Sequence, residues 1–230
     1  MHTSKHGPFG DLRTKLLKAA AEIITEEGIK KLTLRSLSKR VGVSRTAPYR
    51  HFKNKDALLL AIAEMGFNEL TLRYQRINRD RSLDPLSRLQ DIGLAYIEFA
   101  INNPGAFRLM FGQEIIRQRR SEELCSDAKE TFNEYLTAVS ASQKEMKITK
   151  VGYPALANYF WTLVHGLAIL IIDGQIQVAG EHCGFPTLLN DEKPSAVGDA
   201  PSMIAFSKQT IRSFWAILSE SSGSGQIRQI

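Results

Sequence analysis

Cysteine is nearly absent from this chain: two in 230 residues, Cys125 and Cys183, in unrelated contexts. With no C-x-x-C pair and no Cys/His spacing of ligand type, neither a disulfide framework nor a zinc site is indicated, and a reducing cytosol is the expected compartment. An apolar amino-terminal core is missing too. The opening "MHTSKHGPFGDLRTK" is no signal peptide and carries no lipidation motif, so export is not expected. Proline is sparse, at 8 residues, yet Pro48 falls in the middle of "VSRTAPYRHFKNKDALL", residues 43–59, which otherwise reads as a short helix. In a helix interior that residue would cost about 3 kcal/mol, so it must sit early in its helix.

Acidic residues are scarce at one end. Residues 1–55 hold thirteen Lys/Arg against four Asp/Glu, a balance of +9, whereas the rest of the chain holds 17 against 20, a balance of −3. Such asymmetry is the footprint of a small module that meets a polyanion, attached to a larger part that does not. An apolar content of 43% is enough for that larger part to bury a core.

Within the basic module, "DLRTKLLKAAAEIITEEG" places Leu12, Leu16, Ala19, Ala20, Ile23 and Ile24 on one helical face and stops at Gly28. Thr33 can cap a second helix, "LRSLSKRVG", whose face is Leu34, Leu37 and Val41 and whose end is Gly42 in a left-handed turn. Ser44 follows at once as a further cap, so a third helix over 44–52 is expected to cross the second steeply, the spacing of a helix-turn-helix. With Ser44 as cap, Pro48 forfeits only the bond to the Ser44 carbonyl and packs inward with Leu37, Val41 and Val43, leaving Arg45, Thr46, Tyr49 and Arg50 outward. Arg suits guanine, the Thr methyl and hydroxyl suit thymine or adenine edges, and Tyr, Lys and backbone amides hold phosphates. Beyond Phe52, Asn54 caps a fourth helix and Lys55 stands where a phosphate is favoured. DNA binding is the expectation; an αα-hairpin with a solvated basic face is the bland alternative.

The stretch "TLRSLSKRVGVSRTAPYRHFKNKDALL", preceded by one long helix, resembles the DNA-binding domain of the tetracycline-repressor (TetR) family over residues 10–70. The resemblance implies a homodimeric, all-α, ligand-responsive transcription factor, usually a repressor. By position it implies that Thr33 and Lys55 hold phosphates, Arg45 and Thr46 approach bases, and Tyr49 and His51 contact the backbone. Two positions depart from the common family pattern, Ala47 where Thr is frequent and Pro48 where Leu is frequent.

Further along, a helix is expected over 86–102, broken by Pro104 before a short apolar turn with Phe107, Met110 and Phe111. Another carries Leu124, Ala128, Phe132, Tyr135 and Val139 on its buried stripe. "YPALANYFWTLVHGLAILIIDGQI" is apolar from 155 to 172 except at Asn158, Thr162, His165 and Gly166. Those interruptions, with no basic flank, argue against a membrane span. A soluble helix apolar all round needs cover on every side, most simply from the same helix of a second subunit. "PSMIAFSKQTIRSFWAIL", with Ile204, Ile211, Phe214, Trp215 and Leu218 at helical spacing, offers the second helix of a four-helix dimer bundle. "WTLVHG" also resembles the Trp-His-Gly group of carboxy-terminal domains. Residues 180–201 are expected to be a loop and 220–230 a disordered tail.

Near His165 and Asp173 there is no Ser or Cys nucleophile, paired carboxylate or phosphate loop, so no enzyme, cofactor or metal site is expected. A lone histidine in an apolar helix is more often a hydrogen-bonded core residue than a ligand contact. The family resemblance implies an inducer cavity, and Phe107, Met110, Phe111, Trp161 and His165 are its candidate wall. Together the expectations are an all-α chain with a helix-turn-helix DNA-binding domain at 9–70, a larger helical ligand-binding and dimerisation domain at 71–219, and a tail at 220–230. The partners expected are double-stranded palindromic DNA, a second copy of the chain and a small-molecule effector. The competing reading is a helical architectural protein that binds DNA without sequence preference and senses nothing.

Overall fold

The computed structural model describes residues 8–113, 122–146, 152–175 and 200–223. Its helices are α1 (Pro8–Glu27), α2 (Leu34–Val41), a 3-10 turn (Pro48–Arg50), α3 (Lys55–Arg79), α4 (Pro85–Asn102), α5 (Pro104–Met110), α6 (Glu122–Glu145), α7 (Tyr153–Ile172) and α8 (Ala200–Gly223). No strand occurs among the described residues, and the fold is all-α as expected. The chain packs as two compact units, one within Met1–Glu69 and Asn103–Lys129, the other within Leu70–Asn102 and Glu130–Ile230. The division falls inside α3 and inside α6, each of which contributes to both.

In the first unit, Leu16, Ala20 and Ile23 of α1 are buried at the expected spacing, with Leu37 of α2 and Leu58 and Ile62 of α3. Helix α5 packs on α1 so closely that a Cβ at Gly105 would lie 2.5 Å from the Ala21 carbonyl oxygen. The Gly105 amide donates to Thr25 Oγ1 at 3.0 Å, which satisfies one of the amides a helix start leaves without a partner. The segment after Pro104 is thus a short helix and not the apolar turn expected, because proline in its first turn has an amide to lose that no intrahelical acceptor needs.

In the second unit, α4 packs against both α7 and α8. At Gly93 a Cβ would stand 2.6 Å from the Phe160 ring, so glycine is what lets α4 and α7 meet there. Phe160 is buried against Tyr135 of α6 and Trp215 of α8, at ring-centroid distances of 6.3 and 5.3 Å. The expected stripe of α6 is wrong at one position: Phe132 is exposed, and Thr131 is buried in its place, its hydroxyl 2.7 Å from that of Thr71. One residue is a rotation of about 100° on a helix, so at this one position the apolar side chain falls off the buried face and its polar neighbour lies on it.

Helix α7 is long and apolar enough, by length and composition, to cross a membrane. Leu156, Phe160, Val164, Ala168 and Ile171 pack inward, whereas Tyr159 and Leu170 remain 59% and 39% exposed. Ile211 and Trp215 of α8, read from the sequence as part of a dimer helix, are already buried within their own subunit, Trp215 against Phe160. Helix α8 takes in residues 200–201 of the expected loop and 220–223 of the expected tail, because a helix once nucleated gains a hydrogen bond for each residue it adds. The Leu218 side chain and residues 180–199 and 224–230 lie outside the described residues.

Candidate nucleic-acid interface

The scaffold of the basic module is set by local chemistry. Thr33 caps α2 in a reciprocal box: its Oγ1 accepts from the Ser36 amide and its own amide donates to Ser36 Oγ, each at 2.9 Å. At the other end Gly42 takes φ +73°, and the amides of Gly42 and Val43 donate to the carbonyls of Lys39 and Ser38. This pair of bonds is the left-handed glycine stop expected from the sequence. Asn54 caps α3 as expected, its Oδ1 accepting from the Ala57 amide at 2.9 Å.

Between those caps the expected α-helix over 44–52 is not formed. Residues 45–47 are a turn and Pro48–Arg50 a single 3-10 turn. Proline supplies the physical reason. The Ser44 carbonyl, deprived of the amide that residue 48 would have donated, accepts instead from Ala47 at 3.0 Å, and Arg50 donates to Ala47 at 3.2 Å. The tighter i to i−3 pattern therefore replaces the α pattern until Phe52 donates to the Pro48 carbonyl at 2.9 Å. Nor does Ser44 cap in the expected way, since its Oγ pairs with Thr46 Oγ1 at 3.2 Å.

The side-chain sorting nevertheless follows the sequence pattern. Pro48 is buried, and Arg45, Thr46, Tyr49 and Arg50 are exposed, Tyr49 by 60%. His51 is half-buried with its ring tilted against Phe52, and Arg13 of α1 lies over the Phe52 ring, 5.5 Å from its centroid. Lys55 donates to the Ile29 carbonyl at 2.6 Å, tying the start of α3 to the loop before α2. An ammonium has three donors, so two remain for another acceptor.

Two features were invisible in sequence. Arg40 is held by Glu26 and Glu27 at 2.9 and 2.8 Å, and those carboxylates raise its pKa further, so this cation is neutralised by its own module. The Lys55 to Ile29 bond spans 26 residues, and no local pattern signals it.

The expected effector wall is divided. Phe107 and Met110 are buried in the first unit, and Phe111 packs with Phe107 and Phe67 at 5.1 and 5.8 Å. Trp161 and His165 lie in the second unit with centroids 5.2 Å apart. His165 Nδ1 shares a hydrogen bond of 2.7 Å with the Tyr96 hydroxyl. Burial lowers the His165 pKa and raises that of Tyr96, so the pair is neutral near pH 7.

Residues 16–62 match the family of "Bacterial regulatory proteins, tetR family", and residues 89–183 match the "Tetracyclin repressor-like, C-terminal domain". That second match lends the Trp-His-Gly grouping no support. Among curated proteins, the nucleoid occlusion factor SlmA of Vibrio cholerae is 31% identical over 137 residues, 59% of this chain and 68% of that protein. Among solved structures, a protein of unknown function from Rhodococcus sp. RHA1 is similar at TM-score 0.67 and 22% identity, over 96% of this chain and 98% of that one. The TetR-family transcriptional regulator PfmR from Thermus thermophilus follows at TM-score 0.61 and 14% identity, over 89% and 97%. With a capped helix, glycine turn and exposed basic turn in the matched segment, and a helical domain of matching kind behind it, this chain belongs to the TetR family of DNA-binding regulators.

Proposed function

We propose that this protein is a sequence-specific transcriptional regulator in the cytoplasm, a dimeric repressor released from a palindromic operator by a small molecule. The observation that carries the reading is the exposed set Arg45, Thr46, Tyr49 and Arg50, raised over buried Pro48 between two firmly capped helices. Arg45 and Thr46 read base edges; Tyr49, Arg50, His51, Lys55 and the Thr33 end of α2 hold phosphates. Because the Thr46 hydroxyl is engaged by Ser44, its methyl is the part offered to a thymine. Two copies of this turn must stand about 34 Å apart to enter successive major grooves. The outer faces of α7 and α8 join the copies. The effector acts at the Tyr96, Trp161 and His165 cluster, and its influence on operator affinity cannot exceed its differential affinity for the two states. Phe107 and Met110, buried in the first unit, support the fold under α1 in this reading.

In vitro selection of bound DNA tests the proposal: one palindrome should be enriched and should outcompete random DNA at physiological salt. Arg45→Ala should cost about 1–3 kcal/mol on that palindrome and relax one position per half-site. Lys55→Met should weaken all sequences alike and flatten the salt dependence. Identical behaviour of the two variants on specific and random DNA contradicts the assigned roles. For Pro48→Leu, the restored amide should draw the turn towards an α-helix while the selected palindrome stays the same; a changed base preference would mean that the proline ring touches DNA.

The similarity to SlmA supports a second reading, a nucleoid occlusion factor, which differs from the first where no small molecule releases it from DNA. Selection separates the two when repeated with a metabolite extract: release from the palindrome supports the first, and indifference supports the second.

A further inference from the structure

Within the second unit, α8, the first half of α4 and Leu83 before it line an open cleft of about 210 Å³ whose polar rim includes Asp91 and the exposed Lys208 and Arg212 and whose apolar lining is Leu83, Leu94 and Ile211. Neither cation closes to ion-pair distance of Asp91, and the Asp91 carboxyl accepts no hydrogen bond among the described residues, although Lys208 and Arg212 both act on it electrostatically. Its neighbour Asp84 is different: that carboxylate accepts from the amide and hydroxyl of Ser87 at 2.8 and 2.6 Å and caps α4. Asp91 is half-buried without comparable bonds, and burial makes an unpaired negative charge costly. A cleft that holds opposite charges apart across an apolar lining is complementary to a molecule with the reverse arrangement.

We propose that this cleft binds a small zwitterion with an aliphatic tail, the chemistry of a free α-amino acid such as leucine. The ammonium lies at Asp91, the carboxylate at Lys208 and Arg212, and the tail against Leu83, Leu94 and Ile211. Size supports one such molecule, because sites for drug-sized ligands run from about 300 to 1,000 Å³. Arg212 is the better carboxylate partner on geometry, since a guanidinium can donate to both oxygens. The cleft shares no lining residue with the Tyr96, Trp161 and His165 cluster, and the proposal does not depend on an effector acting there.

Calorimetric titration of the full-length protein with L-leucine, N-acetyl-leucine and leucine methyl ester tests the assignment. Leucine should bind, and each derivative, which removes one of its charges, should bind about tenfold more weakly or not at all. Asp91→Asn and Arg212→Ala should each weaken leucine by about tenfold. Leu94→Trp should abolish binding by filling the cleft with every charge kept, and circular dichroism reports whether each variant folds. Equal binding of either derivative, undiminished binding by the variants, or no binding of leucine at about 10 mM, where even millimolar affinity would register, overturns the proposal.

Discussion

Replacement of Phe160 by alanine is expected to lower the stability of the second unit by about 3–5 kcal/mol, the range for an aromatic removed from a closed core. Phe160 has no exposed surface and is the ring on which four helices meet. It stacks on Tyr135 with an interplanar angle of 19°, lies 5.3 Å from Trp215 and 6.1 Å from Phe214, and receives Gly93 of α4 directly. Collapse into the hole is resisted on one side, where Tyr135 is anchored by its hydroxyl donating to the Ala157 carbonyl at 2.5 Å. Urea denaturation of wild type and variant measures the effect through the midpoint at constant slope. A loss under about 1 kcal/mol, the range of volume-conserving swaps, would mean that the four helices are not held at this ring.

Introduction of glutamate at Leu170 or Tyr159 is expected to separate the subunits and abolish binding to a full palindrome, with the DNA-binding unit still folded. Members of the TetR family bind DNA and act as dimers, and these two side chains are, with Trp161, the large apolar groups that α7 leaves outward. A charge carried into an apolar interface must be desolvated without a partner, a cost of several kcal/mol that the monomer avoids. Half-site affinity should persist, because Arg45, Thr46 and Tyr49 stand on the other unit. Sedimentation at micromolar concentration checks this, with wild type as the dimer standard. A wild-type chain that runs as a monomer, or a glutamate variant that remains a dimer, contradicts the placement of the interface on this face.

Much of the DNA-facing module was legible before any coordinates because its decisions are made within one turn of chain. A threonine cap, a glycine stop in the left-handed region and an asparagine cap each act on amides or carbonyls two to five residues away, and all three are in place at Thr33, Gly42 and Asn54. The burial of Pro48 and exposure of Arg45, Thr46 and Tyr49 follow from the same short-range periodicity. The local rule failed at the helix between those caps. Proline's missing amide was assigned correctly to the Ser44 carbonyl, but that carbonyl found another donor in Ala47, and the turn tightened.

What the residues alone determined, then, is the helical class, the basic DNA-facing end and the family, all carried by short-range spacing and charge. What only the tertiary structure decided involves partners far apart in sequence. Thr131 and not Phe132 faces inward because Thr71, 60 residues away, meets it. Lys55 is tethered by a carbonyl 26 residues back, and His165 is engaged by a hydroxyl at a separation of 69. The three charges of the cleft, Asp91 on α4 with Lys208 and Arg212 on α8, share one rim only because those helices pack together. Periodicity says which face of a helix is apolar; it carries no information about which other helix will cover that face, and the chemistry of a site is set by that second choice.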